Sequence, residues 1–325
     1  MTAAANGGAI VVTGGTGLIG GEVVATLARR DRRVVALVRA GSDDEAAFRL
    51  RARLEKSPEF APALLTHVSA VAADMTRPGL GVAPHCFAEA SAVVHCAANT
   101  SFSAQQDDAI WSTNLGGARR LVEALQASAP AARLVFVSTA SVVTAPEGGL
   151  IPEWAPYAGH ENAYTRSKRE AELVVRKSGL NAVIARPSIV LSKGIADREL
   201  ARSILWAVPI MAKVGAVPVD PQARVDLVPV DHVARALADL ATAPALAARM
   251  YHISGGTTSE TLADLMTATV QPRHTKIWLA GKEKNWAYAE YEFRELNEAF
   301  GRAMQVWPQW QQFPVKDMLA SVLKQ

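Results

Sequence analysis

Cysteine is scarce: Cys86 and Cys96 are the only two in 325 residues, too few for a secreted disulfide scaffold. Both lie in or beside apolar runs, so buried free thiols are the ordinary reading and a redox pair the alternative. The seven His are scattered and no close-spaced Cys/His group occurs, so no metal site is expected. No apolar run approaches the roughly 18–20 residues of a membrane span. The start, Met-Thr-Ala-Ala-Ala-Asn-Gly-Gly, lacks the basic and apolar regions of a signal peptide. An excess of one charge is missing too. Lys+Arg 34 against Asp+Glu 31 leaves +3, spread along the chain, and gives no electrostatic ground for nucleic acid. With 22 Gly, 17 Pro and half its residues hydrophobic, the composition excludes disordered and collagen-like classes. The expectation is a cytoplasmic globular protein with one large core and a smaller lobe.

Short β-branched runs alternate with longer amphipathic stretches through the first 190 residues. Strands are expected at Ala9–Thr13, Val34–Val38, Val68–Ala72, Ala92–Cys96, Leu134–Ser138 and Ala182–Ala185, nearly continuous in apolar residues as in strands buried on both faces. Helices are expected at Gly17–Arg30, Asp43–Glu55, Ile110–Ser128 and Asn162–Ser178. This alternation predicts an α/β, Rossmann-type, doubly wound parallel sheet. After Pro187 the rhythm changes. Leu200–Val219, with Pro209 and Pro218, reads as a helix broken into loop. A short helix at Asp231–Leu240, an apolar run at Met250–Ile253 and a capped helix from Thr258 or Ser259 follow. The tail from Lys276 is rich in Trp (278, 286, 307, 310), either the packing face of a small lobe or an apolar wall for substrate. The expected division is a dinucleotide domain at 1–190, rejoined by 226–256, and a mainly helical substrate lobe from 191–225 and 257–325.

The strongest motif is Val11-Val-Thr-Gly14-Gly-Thr16-Gly17-Leu18-Ile19-Gly20, a glycine turn directly after a buried strand and opening a helix. Gly14 and Gly17 let the backbone turn and approach a pyrophosphate. Gly20 lets helix and sheet pack closely, and the helix N-terminus faces the anion. An acid at the tip of the second strand would mark NAD, but that strand ends in Arg39, whose guanidinium suits a 2′-phosphate; NADP(H) is the expected cofactor. Asp74-Met75 closes the third strand, within reach of an adenine amino group. Ala97 and Ala98, after His95, are small enough to run along a dinucleotide. His95 itself reads as a buried or edge histidine without a proton-transfer role.

Tyr164 and Lys168, four apart in an expected helix, share one face. A phenol titrates near ~10, and a nearby ammonium stabilises its phenolate. Lys168 is also expected to hold nicotinamide ribose hydroxyls. Ser138-Thr139 ends a buried strand, and Thr139 suits orienting a substrate carbonyl and sharing its proton with Tyr164. Pro146–His160, with Trp154 and Tyr157, reads as a rim over the substrate. Arg186-Pro187-Ser188 ends the sixth strand, where backbone meets a carboxamide.

Together Thr13–Gly20, Asp74, His95–Ala98, Ser138-Thr139, Tyr164/Lys168, Arg186-Pro187 and Val228–Val233 resemble the extended short-chain dehydrogenase/reductase superfamily. The segment Leu37–Leu50, Asp74–Gly81 and His95–Phe102 are similar to its thioester reductase and fatty-acyl reductase branch. The resemblance implies Tyr164 as acid/base, Lys168 as its activator, Thr139 as the third catalytic group and Asn114 as support for the lysine through a water. It departs at Val142-Val-Thr144, where the family often has Val-Tyr-Gly, and no adenylation or carrier domain is expected within these 325 residues. The activity implied is reduction by NADPH of an acyl thioester, aldehyde or ketone on a fairly apolar small-molecule substrate, carrier- or CoA-linked substrates and a homodimer being compatible. The alternatives are a sugar-nucleotide epimerase or dehydratase and a non-catalytic dinucleotide sensor.

Overall fold

The computed structural model describes residues 8–57, 60–143, 150–157, 162–192, 220 and 222–261. The broken helix expected at Leu200–Val219 and the Trp-rich tail lie outside them. The chain divides into two units, Met1–Lys193 with Leu227–Thr257, and Gly194–Asp226 with Thr258–Gln325. Each is described by itself.

The first unit is built on seven strands: β1 (Ala9–Thr13), β2 (Val34–Val38), β3 (Val68–Ala72), β4 (Ala90–His95), β5 (Arg133–Val137), β6 (Ala182–Pro187) and β10 (Met250–Ile253). Their order is β10-β6-β5-β4-β1-β2-β3, and every pairing is parallel. Three further short strands of the unit and its neighbour are β7 (Ile189–Leu191), paired with β9 (Leu227–Pro229), and β8 (Arg224–Val225). Side chains alternate across the sheet as a pleated backbone requires. Ile10, Val12, Val94 and Val135 enter one apolar layer, and Val11, Val93, Leu134 and Phe136 the other.

Helices cover both faces. The first layer is closed by α1 (Leu18–Arg29), α2 (Asp43–Leu54) and α7 (Val230–Thr242). The second is closed by α3 (His85–Ala88), α5 (Gly117–Ser128) and α6 (Ala163–Lys177). Local chemistry sets these helices. Ser42 caps α2 by accepting from the Glu45 N–H, with acids in the first turn and Arg51 and Arg53 in the last. In α7, Val230, Val233, Ala234, Leu237, Ala238 and Ala241 recur at helical spacing and are all buried.

Two expectations are corrected. The single helix expected over Ile110–Ser128 begins earlier, as α4 (Asp107–Trp111), and reaches α5 through a π-helical turn at Ser112–Gly116. That turn inserts an extra residue into the helical repeat. No helix starts at Thr258 or Ser259: Gly256–Thr258 is a 3-10 turn, and β11 (Glu260–Thr261) pairs antiparallel with β8. There a strand partner satisfies the backbone groups that a helix would have used. Among the described residues no helix is long and apolar enough to cross a membrane.

Leu237 is fully buried between α7 and the sheet. Leu237→Ala should cost about 2–5 kcal/mol, read as a lower urea midpoint at unchanged slope; an unchanged midpoint would contradict this packing.

Candidate functional site

Parallel pairing brings the C-terminal ends of β1, β4, β5 and β6 to one edge of the sheet. At β1 the chain turns through Gly14, whose φ of +70° lies in the left-handed region. A Cβ on Gly14 would stand 2.8 Å from the Ala97 nitrogen, and one on Gly20 only 2.2 Å from the Gly14 oxygen. Both positions therefore require glycine. Gly17 caps α1 without a side-chain hydrogen bond, and the first turn holds no acid. The α1 N-terminus is thus left positive and open beside a backbone cradle, the arrangement a pyrophosphate needs. Thr16, Leu18 and Ile19 are all at least partly accessible around that turn. The residues fit a dinucleotide.

Arg39 is exposed at the tip of β2. Two of the acids that follow it are engaged: Asp43 Oδ1 accepts from the Ala72 N–H at 2.7 Å, and Glu45 Oε2 from the Gly41 N–H at 2.8 Å. Arg49, which the sequence reading did not single out, reaches back from α2 and donates to the Arg39 carbonyl at 2.5 Å. Arg53, one turn on, donates to the carbonyls of Gly17 and Leu18. Their i, i+4 spacing on α2 was the signal that could have found them. Asp74 Oδ1 accepts from both the N–H and the hydroxyl of Thr76. Those bonds, with Arg77 and Arg39 nearby, hold its carboxyl below the usual range. Met75 lies in the core, its carbonyl accepting from Arg120 at 3.0 Å.

Behind the turn, Thr13 Oγ1 meets His95 Nδ1 at 2.8 Å and accepts from the Ala97 N–H at 3.1 Å. This fixes the start of the Ala97-Ala98 segment against β1. His95 stacks on Phe136, and burial pushes its pKa down to about 3. It is a neutral core histidine, as the sequence reading has it.

At the β5 end, Thr139 Oγ1 accepts from the Ser141 N–H at 3.2 Å, and its hydroxyl lies near enough to Tyr164 to act on the phenol's pKa. Desolvation pushes the Tyr164 phenol up to about 12, and the Thr139 hydroxyl opposes the rise. Asn162 caps α6, accepting from the Thr165 N–H, and so sets Tyr164 in the first turn. Lys168 is buried one turn later, donates to the Val137 carbonyl at 2.5 Å and lies 4.6 Å from the centre of the Phe136 ring. Burial brings its pKa down to about 8, with Glu172 acting in the opposite direction.

Asn114 lies on the π-helical turn. Its amide accepts from the Asn99 N–H, donates to the Asn99 carbonyl and donates to Ser167 Oγ, all at 2.8–3.0 Å. Ser167 in turn donates to the Tyr164 carbonyl. Asn114 thus joins the segment after β4 to α6 directly. At β6, Pro187 pairs with Ile253 and the Ser188 N–H donates to the Ile253 carbonyl. The hydroxyls of Ser138 and Ser188, at adjacent strand ends, are buried and have no partner. Orphaned buried hydroxyls at this edge suit the amide of a bound nicotinamide. Glu172 and Arg186, both fully buried, form a two-pronged ion pair at 2.9 and 2.7 Å. Sequence reading did not pair them.

Among the described residues no cluster of His, Cys, Asp and Glu is arranged to hold a metal.

Residues 12–237 match the model of a family described as Male sterility protein. An isonitrile lipopeptide synthase of Streptomyces coeruleorubidus is 31% identical over 245 residues, covering 71% of this chain and 16% of the synthase. This chain therefore spans only a small part of that relative. The crystal structure of the terminal R domain from the myxalamid PKS-NRPS pathway matches with a TM-score of 0.70 at 26% identity, over 86% of this chain and 70% of that one. A double mutant of DesIV, a dTDP-glucose 4,6-dehydratase of Streptomyces venezuelae with NAD and DAU bound, matches at 25% identity and a TM-score of 0.59, over 80% and 79%.

Neutral His95 and His252 make a prediction for stability. Burial lowers both pKa values, that of His95 to about 3, below the unfolded value near ~6.5. The unfolded chain therefore takes up protons first. Their contribution is complete above about pH 6.5 and is lost as pH falls, for His95 down to about 3, at up to roughly 1.4 kcal/mol per pH unit for each proton. The urea midpoint should fall between pH 7 and 5, and His95→Asn should flatten that slope. A midpoint independent of pH over this range would contradict the neutral assignment.

Proposed function

We propose that this chain, which belongs to the Male sterility protein family and to the thioester-reductase-like branch of the extended short-chain dehydrogenases/reductases, is an NADPH-dependent reductase of a carbonyl on a fairly apolar substrate. The observation that carries the reading is the Thr139 hydroxyl beside the Tyr164 phenol, with buried Lys168 one turn away, at the sheet edge that also holds the glycine turn. A nicotinamide dinucleotide, when bound, supplies the hydride. The backbone from Gly14 to Gly20 would cradle its pyrophosphate, Ala97-Ala98 would run along it, and Pro187 with Ser188 would meet the carboxamide.

A carbonyl that gains hydride at carbon needs a proton at oxygen. Tyr164 supplies it. Desolvation keeps the phenol protonated at neutral pH, which is the state a proton donor requires. Thr139 orients the carbonyl beside the phenol as the phenol turns into phenolate. Lys168, still mainly cationic near pH 7 at a pKa of about 8, stabilises that phenolate once its ammonium turns from the Val137 carbonyl toward the ribose hydroxyls. Asn114 holds the helix start through Asn99 and Ser167.

Arg39 supports NADPH over NADH: it stands at the β2 tip, and two of the carboxylates after it, Asp43 and Glu45, are engaged with backbone N–H groups. Arg49 adds a second guanidinium beside it. The synthase and R-domain relatives favour a carrier- or CoA-linked acyl thioester as substrate. The dehydratase likeness favours a sugar nucleotide with NAD instead, and the Arg39 neighbourhood argues against it.

Tyr164→Phe should lower turnover by at least a hundredfold and leave the NADPH Kd within twofold; retained turnover would remove Tyr164 as the proton donor. Fluorescence titration of Arg39→Ala should show NADPH weakened roughly 10-fold or more, as expected for a lost paired phosphate contact, with NADH unaffected. Equal losses for the two would overturn the cofactor assignment.

A further inference from the structure

The buried Glu172–Arg186 pair is outside the proposed chemistry, yet it is the most completely enclosed charged group among the described residues. An ion pair of this kind is weak evidence for stability, because desolving both charges offsets most of their attraction. What it does fix is direction. Arg186 uses Nε and Nη2 on the two Glu172 oxygens, and Nη1 donates to the Glu153 carbonyl at 3.2 Å. The Tyr157 hydroxyl donates to Glu172 Oε2 at 2.9 Å, and the guanidinium lies 5.4 Å from the centre of the Tyr157 ring. His252, on β10, contacts Arg186 through Nε2 and donates from Nδ1 to the Ile151 carbonyl at 3.2 Å. A backbone bridge joins Tyr157 to Val143.

All these ties converge on one short segment, Ile151–Tyr157. In sequence it stands between Thr139 and Tyr164, and its bridge partner Val143 is four residues past Thr139. Apolar burial does not hold it: Leu150 and Trp154 are 73% and 84% exposed. Its anchor is polar, and the anchor is Glu172, one helical turn after Lys168 on the same face of α6. The proton-transfer groups and this segment are therefore referenced to a single helix face.

We infer that the Tyr157–Glu172–Arg186 cluster is a positioning device that holds Ile151–Tyr157 as the substrate-side wall of the carbonyl site and so sets substrate affinity. The inference rests on the reductase reading. Tyr157→Phe tests it with least disturbance, since it removes one hydroxyl and leaves the ion pair intact. The measurements are steady-state kinetics with a medium-chain acyl-CoA or the matching aldehyde, NADPH titration, and amide hydrogen exchange over 151–157. Loss of a hydrogen bond to a buried carboxylate predicts a KM raised about fivefold to tenfold, a kcat and NADPH Kd within twofold, and faster exchange confined to 151–157. An unchanged KM, or parallel loss of kcat and NADPH affinity, would overturn the inference, as would unchanged exchange. Wild-type turnover separates the two ideas. If the wild-type protein reduces no carbonyl, the reductase reading fails and takes this inference with it; if it turns over and Tyr157→Phe leaves KM unchanged, the inference alone fails.

Discussion

Full-length parallel pairing is the constraint from which the rest follows. Because β1, β4, β5 and β6 run the same way and pair in register through Thr13, His95, Phe136 and Ile184, their C-terminal ends emerge together. Gly14, Ala97, Thr139 and Ser188 lie on four separate strand exits, yet backbone hydrogen bonds alone bring them to one edge. The connections can then carry chemistry without carrying the fold. The tight spots confirm how little room remains there. A single methyl at Gly14 or Gly20 would strike backbone, which cannot move aside as a side chain can.

Burial of charge is the second constraint, and α6 bears most of it. Lys168 and Glu172 are both inside the protein, one turn apart. Each is satisfied by a different strand: Lys168 by the β5 carbonyl at Val137, Glu172 by Arg186 of β6. Leaving either charge unpaired would cost several kcal/mol, so the helix is held in rotation and height against two strands at once. That is the precision proton transfer demands of Tyr164, where small misplacements are expensive. The low dielectric that makes these pairs demanding also raises the Tyr164 pKa and lowers that of Lys168, bringing the two groups toward an acid that stays protonated and a cation that can respond.

Much of this was legible in the residues themselves. The strands at Ala9–Thr13 and Val34–Val38 coincide with their apolar runs, since a strand buried on both faces has no other composition available; Val68–Ala72 coincides too, although as the edge strand it is only partly buried and exposes Ser69. The glycine turn declares itself because only glycine tolerates those approaches. Less visible was anything that depends on distant partners. The π-helical turn at Asn114 leaves no mark in local periodicity, and it takes Asn99 and Ser167 to explain why the amide is there. The strand at Glu260–Thr261 was read as the start of a helix because its partner, Arg224–Val225, lies 35 residues upstream. Glu172 and Arg186 are 14 residues apart on different elements, each unremarkable alone.

The central claim is that this sheet edge delivers hydride and a proton to a carbonyl. The most direct test is NADPH oxidation, followed by absorbance in the purified protein with an acyl thioester and with its aldehyde, and repeated with NADH. The account predicts oxidation that depends on substrate and prefers NADPH. Tight NAD retained through purification, with no net oxidation on either carbonyl, would contradict it and turn the site toward sugar-nucleotide chemistry.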